Sequence, residues 1–160
     1  MQLSWDDLTI DISAIDTSVL FHNWQWLIGK DKHVMMITSL GDAFLQDIKG
    51  YIFWLDVAQG QMHLIADSYD TFQLHLQKAV HIDEWFSPEL ISELKQQGLH
   101  LAPQQIYAHQ TPVLLGGKST LTNVKPADIM LHFQTMGLIC QQVKNITTGT
   151  QVNGASLCDN

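Results

Sequence analysis

Between His33 and Ala66 the chain alternates short apolar runs with turn signals: VMMIT then SLGD, AFLQ then DIKG, YIFWLD then VAQG, and finally QMHLIA. Runs of this length, bounded by Gly, Asp and Ser, read as strands. Asp47-Ile48-Lys49-Gly50 places glycine where a type I turn with a G1 bulge needs positive φ, and Asp56-Val57-Ala58-Gln59-Gly60 is a slightly longer version. Loops this short join antiparallel neighbours, so the stretch predicts a four-stranded antiparallel meander. In its third strand Tyr51, Phe53 and Leu55 face one way while Ile52 and Trp54 face the other. A strand that is apolar on both faces has to be covered on both.

The flanking sequence supplies helical cover. Asp16, Thr17 or Ser18 can cap Val19 to Ile28, whose apolar positions 20, 21, 24, 27 and 28 recur at helical spacing before Gly29. Asp67 or Ser68 caps a segment in which Phe72, Leu76 and Ala79 fall at i, i+4 and i+7. A second helix there starts with Ser87 as N-cap, Pro88 at the first helical position and Glu89 in the first turn, and ends at Gly98. A strand is expected from Gln105 to His109, followed by the Gly-rich loop Pro112 to Lys118. A last helix opening at Pro126 or Asp128 carries the stripe Ile129, Met130, Phe133, Met136, Ile139, Cys140 and Val143. The expected fold is α+β: a four-stranded antiparallel meander over about 33–66 covered by helices, with a C-terminal helix. A chain of 160 residues has room for one core, so residues 1–148 are expected to form one domain and 149–160 a flexible tail.

Charge removes several function classes. The cationic side chains are eight lysines, with no arginine, against 16 acids, for a formal net charge of -8. A nucleic-acid binder neutralises phosphates with clustered Lys and Arg, and this acidic excess would repel the polyanion. No direct nucleic-acid partner is expected, and any charge-guided partner should be basic. The chain has no apolar run of membrane-spanning length, and its N-terminus MQLSWDDLTIDIS is acidic where a signal peptide is basic. No membrane partner and a cytoplasmic location are expected. Cys140 and Cys158 are too few for a disulfide framework and read as reduced thiols.

No convincing catalytic constellation emerges. Gly116-Gly117-Lys118-Ser119-Thr120 looks like the end of a phosphate-binding loop, but Pro112 stands where its first Gly belongs and the following Thr-Leu-Thr-Asn-Val-Lys-Pro does not read as a helix. A structural Gly-Gly turn is the preferred reading. None of the eight histidines is paired at i, i+2 or i, i+4, so no metal is expected. Asp128 and His132, four apart, read as a surface hydrogen bond. Cys140 and His132 lie eight positions apart on one helix, about 12 Å along its axis, so Cys140 reads as a small buried hydrophobe and not a nucleophile. Four of the five tryptophans, Trp24, Trp26, Trp54 and Trp85, sit inside apolar patterns and read as core or half-buried surface. All three glutamates, Glu84, Glu89 and Glu93, lie in one stretch, where they can form an acidic surface.

The order of motifs resembles a known family. Trp24-x-Trp26-Leu27-Ile28, Thr38-Ser39-Leu40-Gly41-Asp42-Ala43-Phe44, Gly50-x-Ile52-x-Trp54-Leu55-Asp56 with Gly60, Glu84-Trp85-Phe86, Pro112-Val113-Leu114-x-Gly116-Gly117 and Gly137-x-Ile139-x-Gln141-Gln142-Val143-Lys144 together resemble the C-terminal domain of type VI secretion immunity proteins of the Tdi type, over roughly residues 20–150. The family's last motif usually reads Gly-Gln-Ile-His-x-Gln-Val, whereas Leu138 and Cys140 occupy the Gln and His places here. The resemblance implies a non-catalytic protein without cofactor that binds and neutralises a cognate basic effector of nuclease type. For such a partner the expected contacts are Glu84, Glu89 and Glu93. The alternative is a small-ligand or enzymatic domain with a pocket near the Gly116-Gly117 loop.

Overall fold

The structure is a computed structural model and describes residues 2–147. It is α+β. The meander forms as the turn chemistry requires: β1 (Lys32–Ile37), β2 (Ala43–Asp47), β3 (Ile52–Asp56) and β4 (Gln61–Ala66) make one antiparallel sheet in the order β1-β2-β3-β4. Gly50 and Gly60 both take positive φ, 94° and 65°.

Both faces of the sheet are buried. Ile37, Ala43, Leu45 and Leu55 pack on one side against Leu20, Phe21, Trp24 and Ile28 from the N-terminal segment and Ile129, Phe133, Met136 and Cys140 from α7 (Ile129–Thr147). Phe44 and Ile52 pack on the other against Phe72 of α4 (Tyr69–His75), Trp85 and Phe86 of α5 (Ala79–Phe86), and Ile91 and Leu94 of α6 (Pro88–Gln96). The aromatic centre of this second layer is Phe44, whose ring meets Phe72, Trp85 and Phe86 at centroid distances of 5.2, 5.4 and 5.7 Å.

The helices differ from expectation in three places. The N-terminal segment does not form one helix; it is broken into α2 (Thr17–Leu20), a 3-10 turn at His22–Trp24 and α3 (Gln25–Ile28), preceded by the short α1 (Trp5–Leu8). Trp24 and Asn23 at the break give the reason: Trp24 Nε1 donates to the Phe133 carbonyl of α7 at 2.8 Å, and Asn23 Nδ2 to that of Gln134 at 3.0 Å. A regular helix would not aim both consecutive side chains at the same neighbour. The segment after Ser68 likewise stops at His75, and Ala79 begins a new helix, because Lys78 adopts extended backbone. Ser68 does cap α4, accepting from the Thr71 amide at 3.2 Å. Finally, Pro126 does not open α7. It lies in β6 (Val124–Asp128), opposite Tyr107 of β5 (Gln105–His109), and Asp128 caps α7 by accepting from the Leu131 amide at 2.8 Å. A two-stranded sheet leaves outer edges where proline's missing N–H costs nothing. The expected tail 149–160, with Cys158, lies outside the described residues.

The motif Thr38-Ser39-Leu40-Gly41-Asp42 ties these layers together. Ser39 is buried; its hydroxyl donates to the Asp7 carbonyl, its amide donates to Leu8 and its carbonyl accepts from Tyr107 of β5 at 2.8 Å. Asp42 links the β1–β2 turn to the β3–β4 turn at the same end of the sheet, where its Oδ1 accepts from the Val57 amide at 3.0 Å.

Candidate functional site

The three glutamates lie at the turn between α5 and α6. Ser87 makes this turn in a left-handed conformation, φ 43° and ψ 60°, with Pro88 setting the first turn of α6. It is the N-cap by position, yet its side chain makes no capping bond to α6 and its hydroxyl points back to the Asp83 carbonyl. Trp85, Phe86, Ile91 and Leu94 point into the core. Helical periodicity therefore turns Asp83, Glu84, Glu89 and Glu93 outward, and all four are exposed.

Glu89 and Glu93 line an open depression of about 470 Å³ together with Asp83, Ser87, Pro88 and Leu90. Glu84 is not part of that lining; its Oε2 lies 3.9 Å from His81 Nδ1. Asp83 is the member that sequence reasoning missed, and its place one turn before the proline-marked helix start was the available signal. Among the described residues, Asp83, Glu89 and Glu93 make no ion pair. Lys95, the lysine of α6, does not neutralise them: its ammonium is held by Asp7 of α1. That hydrogen bond, with the Ser4 amide, lowers the Asp7 carboxyl to about 2.

The Gly116-Gly117 loop is a closed structural turn. Its amides donate inward, Gly116 to the Val113 carbonyl and Gly117 to that of Pro112, both at 3.0 Å. A Cβ on Gly117 would stand 1.9 Å from the Thr111 carbonyl oxygen. A 3-10 turn at Leu121–Asn123 and then β6 follow, so no helix begins at Lys118. The phosphate-loop geometry is absent, and its amides are committed to the loop itself. Asn123 clamps the loop with three bonds: its Oδ1 accepts from the Thr111 amide at 3.0 Å, and its Nδ2 donates to the carbonyls of Thr111 and Lys118 at 2.9 and 2.8 Å. Asn123→Ala should free the loop locally by roughly 1–3 kcal/mol. Tryptic cleavage after Lys118 under native conditions is expected to rise about tenfold or more.

The remaining candidates are structural. Asp128 caps α7 and forms no bond to His132, which is half-buried beside Gly41. Burial pushes the His132 imidazole down to about 4, with the nearby His109 adding to the effect. The Cys140 thiol is buried, donates to the Val57 carbonyl at 3.6 Å, and is pushed up to about 12 by burial and by Asp56. A thiol in that state carries negligible thiolate at neutral pH. It sits there because Gly60 leaves room: a Cβ on Gly60 would lie 2.7 Å from that of Cys140. Leu138, the other place where the family pattern differs, is about half exposed. Among the described residues no three His, Cys, Asp or Glu side chains converge to hold a metal ion. Trp24 and Trp85 are core, and Trp26 and Trp54 are half-buried.

The acidic corner falls inside the segment that comparison with known families selects. Residues 66–139 match the family described as T6SS immunity protein Tdi1, C-terminal. That segment is similar to the C-terminal part of Tdi1. The match runs from the end of β4 through α4, α5, α6, β5 and β6 into α7, while the Trp24, Thr38 and Gly50 motifs precede it. The matched family is described as an immunity protein of type VI secretion. No curated protein matches the chain. Among solved structures, the crystal structure of Atu4351 from Agrobacterium tumefaciens is similar with a TM-score of 0.51 at 17% identity, over 75% of this chain and 61% of that one. This likeness concerns the fold alone, and the present chain spans less than two thirds of the Agrobacterium protein. Among the described residues no helix is long and apolar enough to cross a membrane.

Proposed function

We propose that the protein is a non-catalytic immunity protein of the cytoplasm that binds and neutralises a cognate basic effector of nuclease type. The observation that carries this reading is the Tdi1 family match over residues 66–139. The α5–α6 corner lies within it and supplies a contact surface of suitable chemistry: Glu89 and Glu93 with Asp83 around one depression, and Glu84 beside it. In a chain of net charge -8 without arginine, this surface attracts a basic protein and repels nucleic acid directly. Exclusion of substrate follows from occupying the effector's basic face, with no chemistry required of the immunity protein.

Two experiments test the proposal. Co-expression with the product of the adjacent gene should relieve that product's toxicity; a harmless neighbour, or toxicity unchanged by co-expression, overturns it. For the contact surface, the double substitution Glu89→Lys with Glu93→Lys should slow association with the effector by tenfold or more at low salt and flatten its salt dependence, leaving dissociation less affected. Unchanged association places the interface elsewhere on the molecule.

A further inference from the structure

A second depression, of about 350 Å³, opens where α2, α3 and the turn at Gly29 meet β1 and β2. Its floor is apolar: Phe21, Ile28 and Leu45 are buried and Val34 is half-buried. Lys30 and His33 are exposed at its mouth and Lys32 lies in its wall, while no Asp or Glu is found among the described residues that line it. In a chain whose acids outnumber its lysines two to one, this lining inverts the prevailing charge. Lys32 is fixed in place. Its side chain is only 11% exposed, its Nζ donates to the Ile28 carbonyl and to Asp31 Oδ1, both at 3.0 Å, and the Phe53 ring centroid lies 5.0 Å away. Two of the three ammonium hydrogens are used in this way. Lys30 makes no ion pair among the described residues. The neighbouring carboxylates are already engaged, Asp31 by Lys32 and Asp16 by the Ser18 and Val19 amides at the start of α2.

A concave apolar floor with a few polar groups at its edge is the usual make-up of a small-molecule site, and this volume is at the lower end of the range for one. An anion entering it meets an ammonium already held in position, a second at the mouth and an imidazole able to donate. A cation meets the two lysines, and a neutral molecule forgoes the charge-assisted bonds. Charge alone does not suffice either, because a lysine at an exposed mouth contributes less than about 1 kcal/mol. A ligand that uses the whole depression therefore joins a negative head to an apolar body. We propose that the pocket binds a small amphipathic carboxylate, with its head on Lys30 and Lys32 and its hydrocarbon chain on Phe21, Ile28, Val34 and Leu45. The lining runs from Thr17 to Leu45 and so precedes the family-matched segment 66–139. The site goes beyond the immunity reading and does not depend on it.

Titration of the intact protein with hexanoate, followed by amide NMR, tests the site. The Gly29, Lys32 and His33 amide resonances should move together and saturate with a Kd of about 1 mM or tighter. Hexanol, which keeps the chain without the charge, acetate, which keeps the charge without the chain, and hexylammonium, which reverses the charge, should each bind about tenfold or more weakly. Lys30→Gln, at an exposed residue without an ion pair, should weaken hexanoate by about threefold or more and leave hexanol unchanged. Lys32→Gln should weaken it further, although that variant also loses the bond to the Ile28 carbonyl. Hexanol or acetate binding as tightly as hexanoate, shifts confined to residues outside the pocket, or no shift with hexanoate at several times that concentration overturns the site. The wild-type titrations decide this even if a variant folds poorly. They need no effector, so their failure leaves the immunity reading standing, and a failed co-expression test leaves the pocket standing.

Discussion

Gly137→Ala should lower stability by about 2 kcal/mol or more, even though alanine is the better helix former. Gly137 lies on the face of α7 that meets the 3-10 turn at His22–Trp24, and a Cβ there would stand 2.6 Å from the Asn23 carbonyl oxygen and 2.8 Å from the Asn23 Cβ. The intrinsic gain from replacing glycine in a helix interior is about 1 kcal/mol. Overpacking a tight contact costs roughly 1–3 kcal/mol, and here the obstacle is backbone that cannot rotate away. Separation of the elements also strains the Trp24–Phe133 and Asn23–Gln134 hydrogen bonds, each contributing about 1 kcal/mol. Loss of the contact therefore outweighs the propensity gain. Thermal unfolding should show a midpoint lower by roughly 4 °C or more. Leu138→Ala, one position on and half exposed, should stay within about 0.5 kcal/mol of the parent. Equal effects from the two substitutions would mean that the close approach is not maintained in solution.

The second large effect is a fall in stability above neutral pH that Asp42→Asn removes. Burial, with the charge of Asp56 behind it, raises the Asp42 carboxyl from 3.8 to about 8, against the opposing pull of the Val57 amide and the Trp54 side chain. Between those values the folded chain holds a proton that the unfolded chain has lost. Stability from this group is complete below the ordinary carboxylate value and is lost as pH rises toward 8, at up to about 1.4 kcal/mol per pH unit. His132 works in the opposite direction. Its imidazole is lowered from 6.5 to about 4, so its contribution is present above 6.5 and lost as pH falls toward 4.

The two slopes nearly cancel between about pH 4 and 6.5, and only the aspartate slope remains from there to 8. Stability should be nearly flat in the first window and fall by roughly 2 kcal/mol in the second. Below pH 4, protonation of Asp7, whose carboxyl is held at about 2 by Lys95 and Ser4, removes a further contribution. In Asp42→Asn the amide oxygen can still accept from Val57, so the profile should rise to 6.5 and then stay level. Denaturant unfolding across this range measures it; parallel profiles for the two proteins would show that Asp42 ionises in the folded state as it does in the unfolded one.

What could be read before the structure was known depended on how local the signal was. The meander was legible because Asp47 to Gly50 and Asp56 to Gly60 encode their own turns, and because apolar residues on both faces of β3 demanded two covering layers. Helix α6 was legible at Ser87-Pro88-Glu89 for the same reason. The break between α4 and α5 was not: Leu76-Gln77-Lys78-Ala79 contains neither glycine nor proline, and nothing in the segment shows that the His75 and His81 rings will meet. Pro126 pointed to a helix start, a fair local reading that pairing with β5 overrode. Of the acidic corner, Glu89 and Glu93 were visible as neighbours one helical turn apart, and Glu84 lies one turn from His81 on the same helix, whereas the inclusion of Asp83 depended on the angle between two helices.

By itself the sequence determined the α+β architecture, the acidic character and the unsuitability of Gly116-Gly117 for phosphate, since each rests on residues close together in the chain or on the composition as a whole. Tertiary structure alone decided that Gly137 must admit Asn23, that Gly60 must admit Cys140, that Asp42 is partly buried beside Asp56 and that His75 meets His81. Close approach, burial and the interaction of like charges depend on distance in space, and for these groups that distance is set by the packing of separate elements against the sheet.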